Sequence, residues 1–195
     1  MFVVAAAAVV LTACSNSSTS SPTVDVPSAA PATTAAAPTA AQGAPESPRG
    51  NLVKQIGDTS GWGLSSNDIS VKFVVDKITV DPKCNSQFPS QAENGHLVQV
   101  DLRVETTQTM PKDAGYSINP YSWSAIGPDE ITQSNVATGA SFTCQNPNEQ
   151  LPPQFSPASK YRGSVVLDVS SPTGTLIFKH PNPTLGGWEW TYGAA

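Results

Sequence analysis

The strongest constraint on the fold is a stretch in which apolar and polar side chains alternate without a break. The stretch is HLVQVDLRVE at 96–105, and its apolar side chains are Val98, Val100, Leu102 and Val104. Successive side chains of a β-strand point to opposite faces, so this pattern predicts a strand with one buried face and one solvated face. Strands of this kind are typical of antiparallel sheets, because parallel strands are usually buried on both faces.

Similar patterns occur along most of the second half of the chain. Residues 69–80 also alternate, but their apolar positions change parity near Asp76, which predicts a β-bulge there. Further strands are predicted at 161–169, 175–179 and 188–192 and, from weaker patterns, at 121–126 and 140–144. Prolines are spread through the chain and no long helical period is visible. We therefore predict an all-β, immunoglobulin-like antiparallel sandwich of about seven strands.

The composition divides the chain into three parts. Residues 15–50 are dominated by Ala, Ser, Thr and Pro and contain no aromatic side chain. Such a segment cannot bury enough apolar surface to offset the entropy of ordering it. We therefore predict a signal peptide at 1–13, a disordered tether at 14–55 and one folded domain at 56–195.

The N-terminus begins with the apolar run MFVVAAAAVVLTAC. The run has the length of a signal-peptide core and about half the length of a membrane-spanning helix. Its end, LTAC at 11–14, resembles the lipobox of bacterial lipoproteins, in which the cysteine receives a diacylglycerol and becomes the new N-terminus. The resemblance implies a lipid anchor at Cys14 on the outer face of the cell membrane. A generic secretory signal with a chance cysteine is the alternative. The first basic residue is Arg49, so we expect the natural start to lie upstream of Met1.

The cysteine count is consistent with export. The chain has three cysteines, and lipidation of Cys14 would leave Cys84 and Cys144. An even pair in an exported domain predicts a disulfide between them. His96 and His180, the two histidines, occur in no ligand-like spacing, so no metal site and no cofactor are expected.

Catalytic patterns are missing from the sequence. It contains no G-x-S-x-G motif, and we expect both histidines to be exposed. Asp129 and Glu130 are adjacent, so on an extended chain they would point to opposite faces and not form an acid–base pair. After Gly127-Pro128 they predict a turn, with a calcium-binding loop as the alternative. The net charge of −5 and the lack of a phosphate-binding Gly-rich loop argue against nucleic acid. We expect no enzymatic activity.

Two regions are candidates for contacts with a partner. The stripe of Trp188, Trp190 and Tyr192 predicts core packing, with an exposed platform for sugar or peptide as the alternative. The Pro-rich loop 145–160 is long, and long loops often carry function. The predicted contact residues are Pro152, Pro153 and Phe155 of this loop and Trp62, which lies between two glycines and could cover the sandwich edge.

The order of motifs resembles a known family. IGDT at 56–59 precedes the first strand, NPYSWSAIGPDEI at 119–131 follows the alternating strand, and YRGSVVLDV at 161–169 follows in turn. This order resembles the immunoglobulin-like domain of Gram-positive surface lipoproteins, domain-of-unknown-function family 4352, itself similar to a secreted mycobacterial immunogenic protein. The family carries no established catalytic residues, so the resemblance implies only the fold and an envelope location.

These observations lead to one functional prediction and two alternatives. We predict a lipid-anchored, non-catalytic module that binds a protein or polysaccharide of the cell envelope and is open to recognition as an antigen. The first alternative is a hydrolase that acts on wall polymers. The second is a structural spacer or a chaperone-like component of an envelope complex.

Overall fold

The chain forms two β-sheets in a computed structural model that describes residues 44–65 and 68–193. The strands are Leu52–Val53 (β1), Thr59–Ser65 (β2), Asp68–Val80 (β3), His96–Thr106 (β4), Trp123–Ile126 (β5), Thr132–Gln133 (β6), Lys160–Val169 (β7), Gly174–Phe178 (β8) and Trp188–Tyr192 (β9). One short helix, α1, spans Gly139–Thr143, and 3₁₀ turns span Pro120–Ser122 and Pro147–Glu149. No helix within the described ranges is long and apolar enough to span a bilayer.

The two sheets pack face to face. Sheet I has the strand order β2-β3-β4-β7 and is antiparallel throughout. Sheet II has the order β1-β9-β8-β5-β6, and its only parallel pair among the described strands is β1 with β9. One apolar cluster draws side chains from both sheets. The predicted immunoglobulin-like β-sandwich is therefore confirmed.

The alternating strand is confirmed as β4, one of the two inner strands of sheet I. Val98, Val100 and Leu102 are fully buried and Val104 is 2% exposed. The polar positions between them lie on the outer face of the sheet. The predicted bulge is also present, since the register between β3 and β4 shifts between Val75 and Lys77. The bulge lets both halves of β3 keep their apolar side chains on the inner face.

The aromatic stripe of β9 belongs to the core. Trp188, Trp190 and Tyr192 are at most 3% exposed. The Trp188 ring lies edge-on to Phe73 of sheet I, with centroids 5.2 Å apart, and stacks on Phe178 of sheet II at 5.6 Å. Offset and edge-to-face pairs of this kind stabilise a core beyond the area they bury. The core interpretation of this stripe is confirmed, and the alternative of an exposed platform is wrong.

The prediction of a strand at 140–144 is wrong, because this segment forms α1. Ala140 and Cys144 are buried, as alternation would require, but positions four apart also share one face of a helix. Phe142 distinguishes the two structures, since its side chain is 40% exposed. The Thr138 N–H donates to Ser141 Oγ at 3.2 Å, which satisfies one free donor at the helix start. Packing of Ala140 and Cys144 against Leu97 and Val166 of sheet I favours the helix.

The predicted disordered tether extends to residue 55, and this prediction is wrong for its last part. Residues 44–55, which the structure describes, pack on the sandwich. β1 pairs with the edge of β9, and Leu52 lies opposite Trp188. The Arg49 guanidinium makes hydrogen bonds of 2.9 and 3.2 Å with both carboxylate oxygens of Glu189, which is 5% exposed. Asn51 Nδ2 donates to the same carboxylate at 3.2 Å. The predicted signal peptide, Cys14 and the rest of the tether lie outside the described residues.

A pair of substitutions on β4 tests the two faces of sheet I. Val100→Ala removes two fully buried methyl groups and is expected to lower the free energy of unfolding by about 1–3 kcal/mol. Gln99→Ala, on the outer face of the same strand, is expected to change it by no more than about 0.5 kcal/mol. Urea denaturation of both variants measures the difference. Equal midpoint shifts would contradict the assigned register.

Candidate functional site

The four predicted contact residues divide into two pairs. Trp62 and Phe155 are 1% and 2% exposed, so the prediction that they contact a partner is wrong. Trp62 lies in β2 and packs on Phe73 with ring centroids 5.7 Å apart, and Phe155 packs on Tyr161 at 5.1 Å. Pro153 is exposed and Pro152 is half-buried. These two prolines remain available for contacts.

Pro152 and Pro153 line a small cleft between α1 and the 3₁₀ turn that precedes β5. Its volume is about 180 Å³. Its apolar lining includes Ile118, Pro120, Phe142, Leu151, Pro152 and Pro153. Binding sites for small ligands are usually concave and mostly apolar, with a few polar groups that fix orientation. The cleft has this character on a small scale.

Two exposed aromatic rings meet at the cleft, since Phe142 lines it and Tyr121 packs against Phe142. Tyr121 is 71% exposed and Phe142 is 40% exposed, and their centroids are 5.5 Å apart. The Tyr121 N–H donates to Asn119 Oδ1 at 3.0 Å, which fixes the start of the turn that presents this tyrosine. We call Pro120, Tyr121, Phe142, Pro152 and Pro153 the aromatic cleft. Sequence reasoning missed both rings, since each was assigned to a weak strand.

One side chain supplies the aromatic cleft with a polar group. Gln150 Nε2 donates to the Phe142 carbonyl at 3.1 Å and to the Gln145 carbonyl at 3.2 Å. These bonds hold the Gln150 amide in one orientation. Its Oε1 accepts no hydrogen bond from the described part of the chain, so it can accept one from a ligand hydroxyl or N–H.

The predicted disulfide is confirmed and holds α1 in place. Cys84 and Cys144 are bonded, with Cα atoms 4.5 Å apart. The bond joins the loop after β3 to the end of α1. A buried carboxylate strengthens the same region, because Asp168 accepts hydrogen bonds from the Glu93 and Asn94 N–H groups and from Thr138 Oγ1. The position of Phe142 in the aromatic cleft therefore depends on a covalently fixed helix.

The histidines show no catalytic arrangement in the ranges described. His96 Nδ1 lies 3.0 Å from an Asp81 carboxylate oxygen, and His180 Nδ1 accepts from the Asn182 N–H at 2.9 Å. Neither ring hydrogen-bonds with a serine hydroxyl of residues 44–65 or 68–193. His180 is only 8% exposed, so the expectation that both histidines are exposed is wrong for this residue. Burial lowers the pKa of His180, which favours its neutral form at physiological pH.

The acidic dipeptide forms the predicted turn. The Glu130 N–H donates to the Gly127 carbonyl at 3.1 Å, and the Ile131 N–H donates to Asp129 Oδ1 at 3.1 Å. Across residues 44–65 and 68–193 no group of three or more His, Cys, Asp or Glu side chains is arranged to hold a metal ion.

Together, the two facing sheets define an immunoglobulin-like β-sandwich with a disulfide-fixed helix on its outer face. A solved structure similar to it is that of MPT63, a secreted protein from Mycobacterium tuberculosis. The TM-score is 0.43 at 10% sequence identity, and the match covers 72% of this chain and 97% of MPT63. No family model matches the sequence, so the resemblance to family 4352 stays a prediction. No curated protein matches it either.

Proposed function

We propose that this protein is a non-catalytic binding module on the outer face of a Gram-positive cell envelope, held to the membrane by a lipid on Cys14. The LTAC motif supports the anchor. The Cys84–Cys144 disulfide supports export, because such bonds persist in oxidising compartments and are rare in the cytosol.

The observation that carries the binding role is the exposed Tyr121–Phe142 pair of the aromatic cleft. Aromatic side chains are usually buried, and exposed ones concentrate at recognition surfaces because they offer a large contact area with few rotatable bonds. The four tryptophans are all buried in the core, whereas Tyr121 and Phe142 are exposed and in contact with each other.

The size of the aromatic cleft favours an envelope polysaccharide as the ligand. A typical protein interface covers about 800 Å² on each partner. A cleft of about 180 Å³ accepts one unit of a chain molecule more readily than a folded surface. The apolar face of a sugar ring would stack on the exposed aromatic rings, and Gln150 Oε1 would accept a hydrogen bond from a hydroxyl group.

Binding to purified wall polysaccharide tests the proposal. The full chain carrying Cys14→Ser is expected to bind insoluble polysaccharide in a sedimentation assay. Tyr121→Ala together with Phe142→Ala is expected to weaken binding at least about tenfold, the effect of losing one strong contact residue. Phe88→Ala is the control, because Phe88 is 78% exposed but lies outside the aromatic cleft. Equal binding by both variants, or binding only to an envelope protein, would contradict the proposal.

The lipid anchor is tested separately by phase partition of the protein expressed in a Gram-positive host. With its natural signal sequence, the unmodified protein is expected in the detergent phase and the Cys14→Ser variant in the aqueous phase. A diacylglycerol supplies two acyl chains, which is enough for stable membrane attachment. Partition of both proteins into the same phase would rule out the anchor without affecting the test of the aromatic cleft.

A further inference from the structure

The outer face of sheet I is only partly covered. At one end, α1 packs on Leu97 and Val166 through Ala140 and Cys144. Beyond α1, the outward side chains of β3, β4 and β7 border two adjoining concave regions of about 580 and 700 Å³. Arg103 and Arg162 line both regions. We call this uncovered part of sheet I the open face.

Strand register arranges the charges of the open face in three rows across β3, β4 and β7. The rows are Lys72–Glu105–Lys160, Val74–Arg103–Arg162 and Lys77–Asp101–Ser164. The five cations in these rows are half of the ten Lys and Arg of the chain. Asp76 and Glu149 also line the face. Together with Glu105 and Asp101 of the rows, they place four carboxylates beside the five cations. The open face has a net charge of +1, whereas the rest of the chain must carry −6 to give the total of −5.

Some of these cations have partners and others do not. Arg103 makes hydrogen bonds of 2.8–2.9 Å with both oxygens of Asp76, which raises the pKa of Arg103. Lys160 Nζ lies 3.6 Å from Glu105. The side chains of Lys72, Lys77 and Arg162 form no hydrogen bond or ion pair with any described residue, and all three residues are exposed. The open face therefore has three cationic groups free to meet an anion.

Arg103 and Arg162 form an unfavourable pair within the sheet. The two residues lie directly opposite each other on β4 and β7. Like charges directly opposite each other destabilise a sheet. The stability of the sheet therefore does not explain why two arginines occupy these positions. A guanidinium binds a carboxylate through two parallel hydrogen bonds. Asp76 holds Arg103 in place, while the neighbouring guanidinium of Arg162 stays available for a ligand.

We propose that the open face binds an acidic, extended peptide segment of a protein partner. Glu105 and Asp101 lie among the cations and would repel a uniform polyanion, but a peptide can place neutral side chains against them. Side chains on one face of an extended peptide are about 7 Å apart, the same separation as alternate residues along β7 such as Lys160 and Arg162. Charge complementarity of this kind mainly sets specificity and the rate of association. This site is separate from the aromatic cleft and from its ligand.

Binding of a labelled alternating Glu-Ser decapeptide tests the proposal. The full chain carrying Cys14→Ser is expected to bind this peptide in fluorescence anisotropy, and binding should weaken as salt rises. Lys72→Gln with Arg162→Gln is expected to reduce affinity about tenfold, a typical cost for losing contacts with charged groups. Lys112→Gln with Lys179→Gln is the matched control, because it also removes two positive charges, but from exposed positions outside the open face.

The outcomes separate this site from general electrostatic attraction. Loss of affinity in the first double variant but not in the control would support the proposal. Equal losses in both would overturn it, because net charge alone would then explain binding. Tighter binding of inorganic polyphosphate, with the same dependence on Lys72 and Arg162, would overturn the choice of a peptide. Salt-sensitive self-association that the first double variant abolishes would overturn it in favour of a second copy of this chain.

Discussion

Replacing Trp188 with Ala is expected to lower the free energy of unfolding by about 3–5 kcal/mol. The side chain is fully buried and links both sheets through Phe73 and Phe178, and it also stacks on His180 at 5.5 Å. Its removal would leave a large cavity between the sheets, which can close only partly because the facing strands are held by their hydrogen-bonded neighbours. Urea denaturation measures the loss as a shift of the midpoint with an unchanged m-value.

The control for this substitution is Phe88→Ala, which removes an aromatic ring of similar chemistry from the surface. Phe88 is 78% exposed, so its loss is expected to change the free energy of unfolding by no more than about 0.5 kcal/mol. If Trp188→Ala unfolded at the same urea concentration as the unmodified protein, the stripe on β9 would have to be a surface platform. That result would contradict the packing of the sandwich.

Removing the Cys84–Cys144 bond is expected to destabilise the domain by about 4 kcal/mol in the chain-entropy model. The bond closes a loop with a sequence separation of 60, so its loss gives the unfolded chain much more freedom. The double variant Cys84→Ala and Cys144→Ala avoids placing a polar hydroxyl in the buried site of Cys144. Urea midpoints of the oxidised protein and the double variant measure the difference.

A reducing agent supplies the control for the disulfide. It should lower the midpoint of the unmodified protein and leave that of the double variant unchanged. The Phe142 side chain should also lose its fixed position when α1 is released, so binding to polysaccharide should fall with the same treatment. Equal midpoints with and without the bond would show that Asp168 and its hydrogen bonds hold this region unaided.

The sequence predicted those features of the fold that follow from the spacing of residues along the chain. The period of two in β4 was enough to assign its buried face, because alternation in a strand maps directly onto burial. The change of parity in β3 predicted the bulge at Asp76 for the same reason. Counting cysteines predicted the disulfide, since an exported chain with two cysteines left over has one possible pairing. The stripe on β9 was also assigned to the core before its partners were known.

Local sequence patterns could not decide the structure of a short segment that fits both a strand and a helix, or the burial of a single side chain. Ala140 and Cys144 fit a strand and a helix equally well, and their contacts with Leu97 and Val166 of sheet I favour α1. Trp62 was predicted to be a contact residue that covers the sandwich edge, yet Phe73, Phe178 and Trp188 enclose its ring. In each case the deciding contacts come from other strands.

The sequence by itself determined the strand class, the bulge, the disulfide and the aromatic core, because each follows from spacing along the chain. Only the tertiary structure decided where the surfaces lie. Tyr121 and Phe142 are 21 positions apart and meet beside one cleft, Arg103 and Arg162 become neighbours through strand pairing, and Arg49 reaches Glu189 across a separation of 140. Contacts between distant residues depend on how the sheets pack, and no local periodicity encodes them.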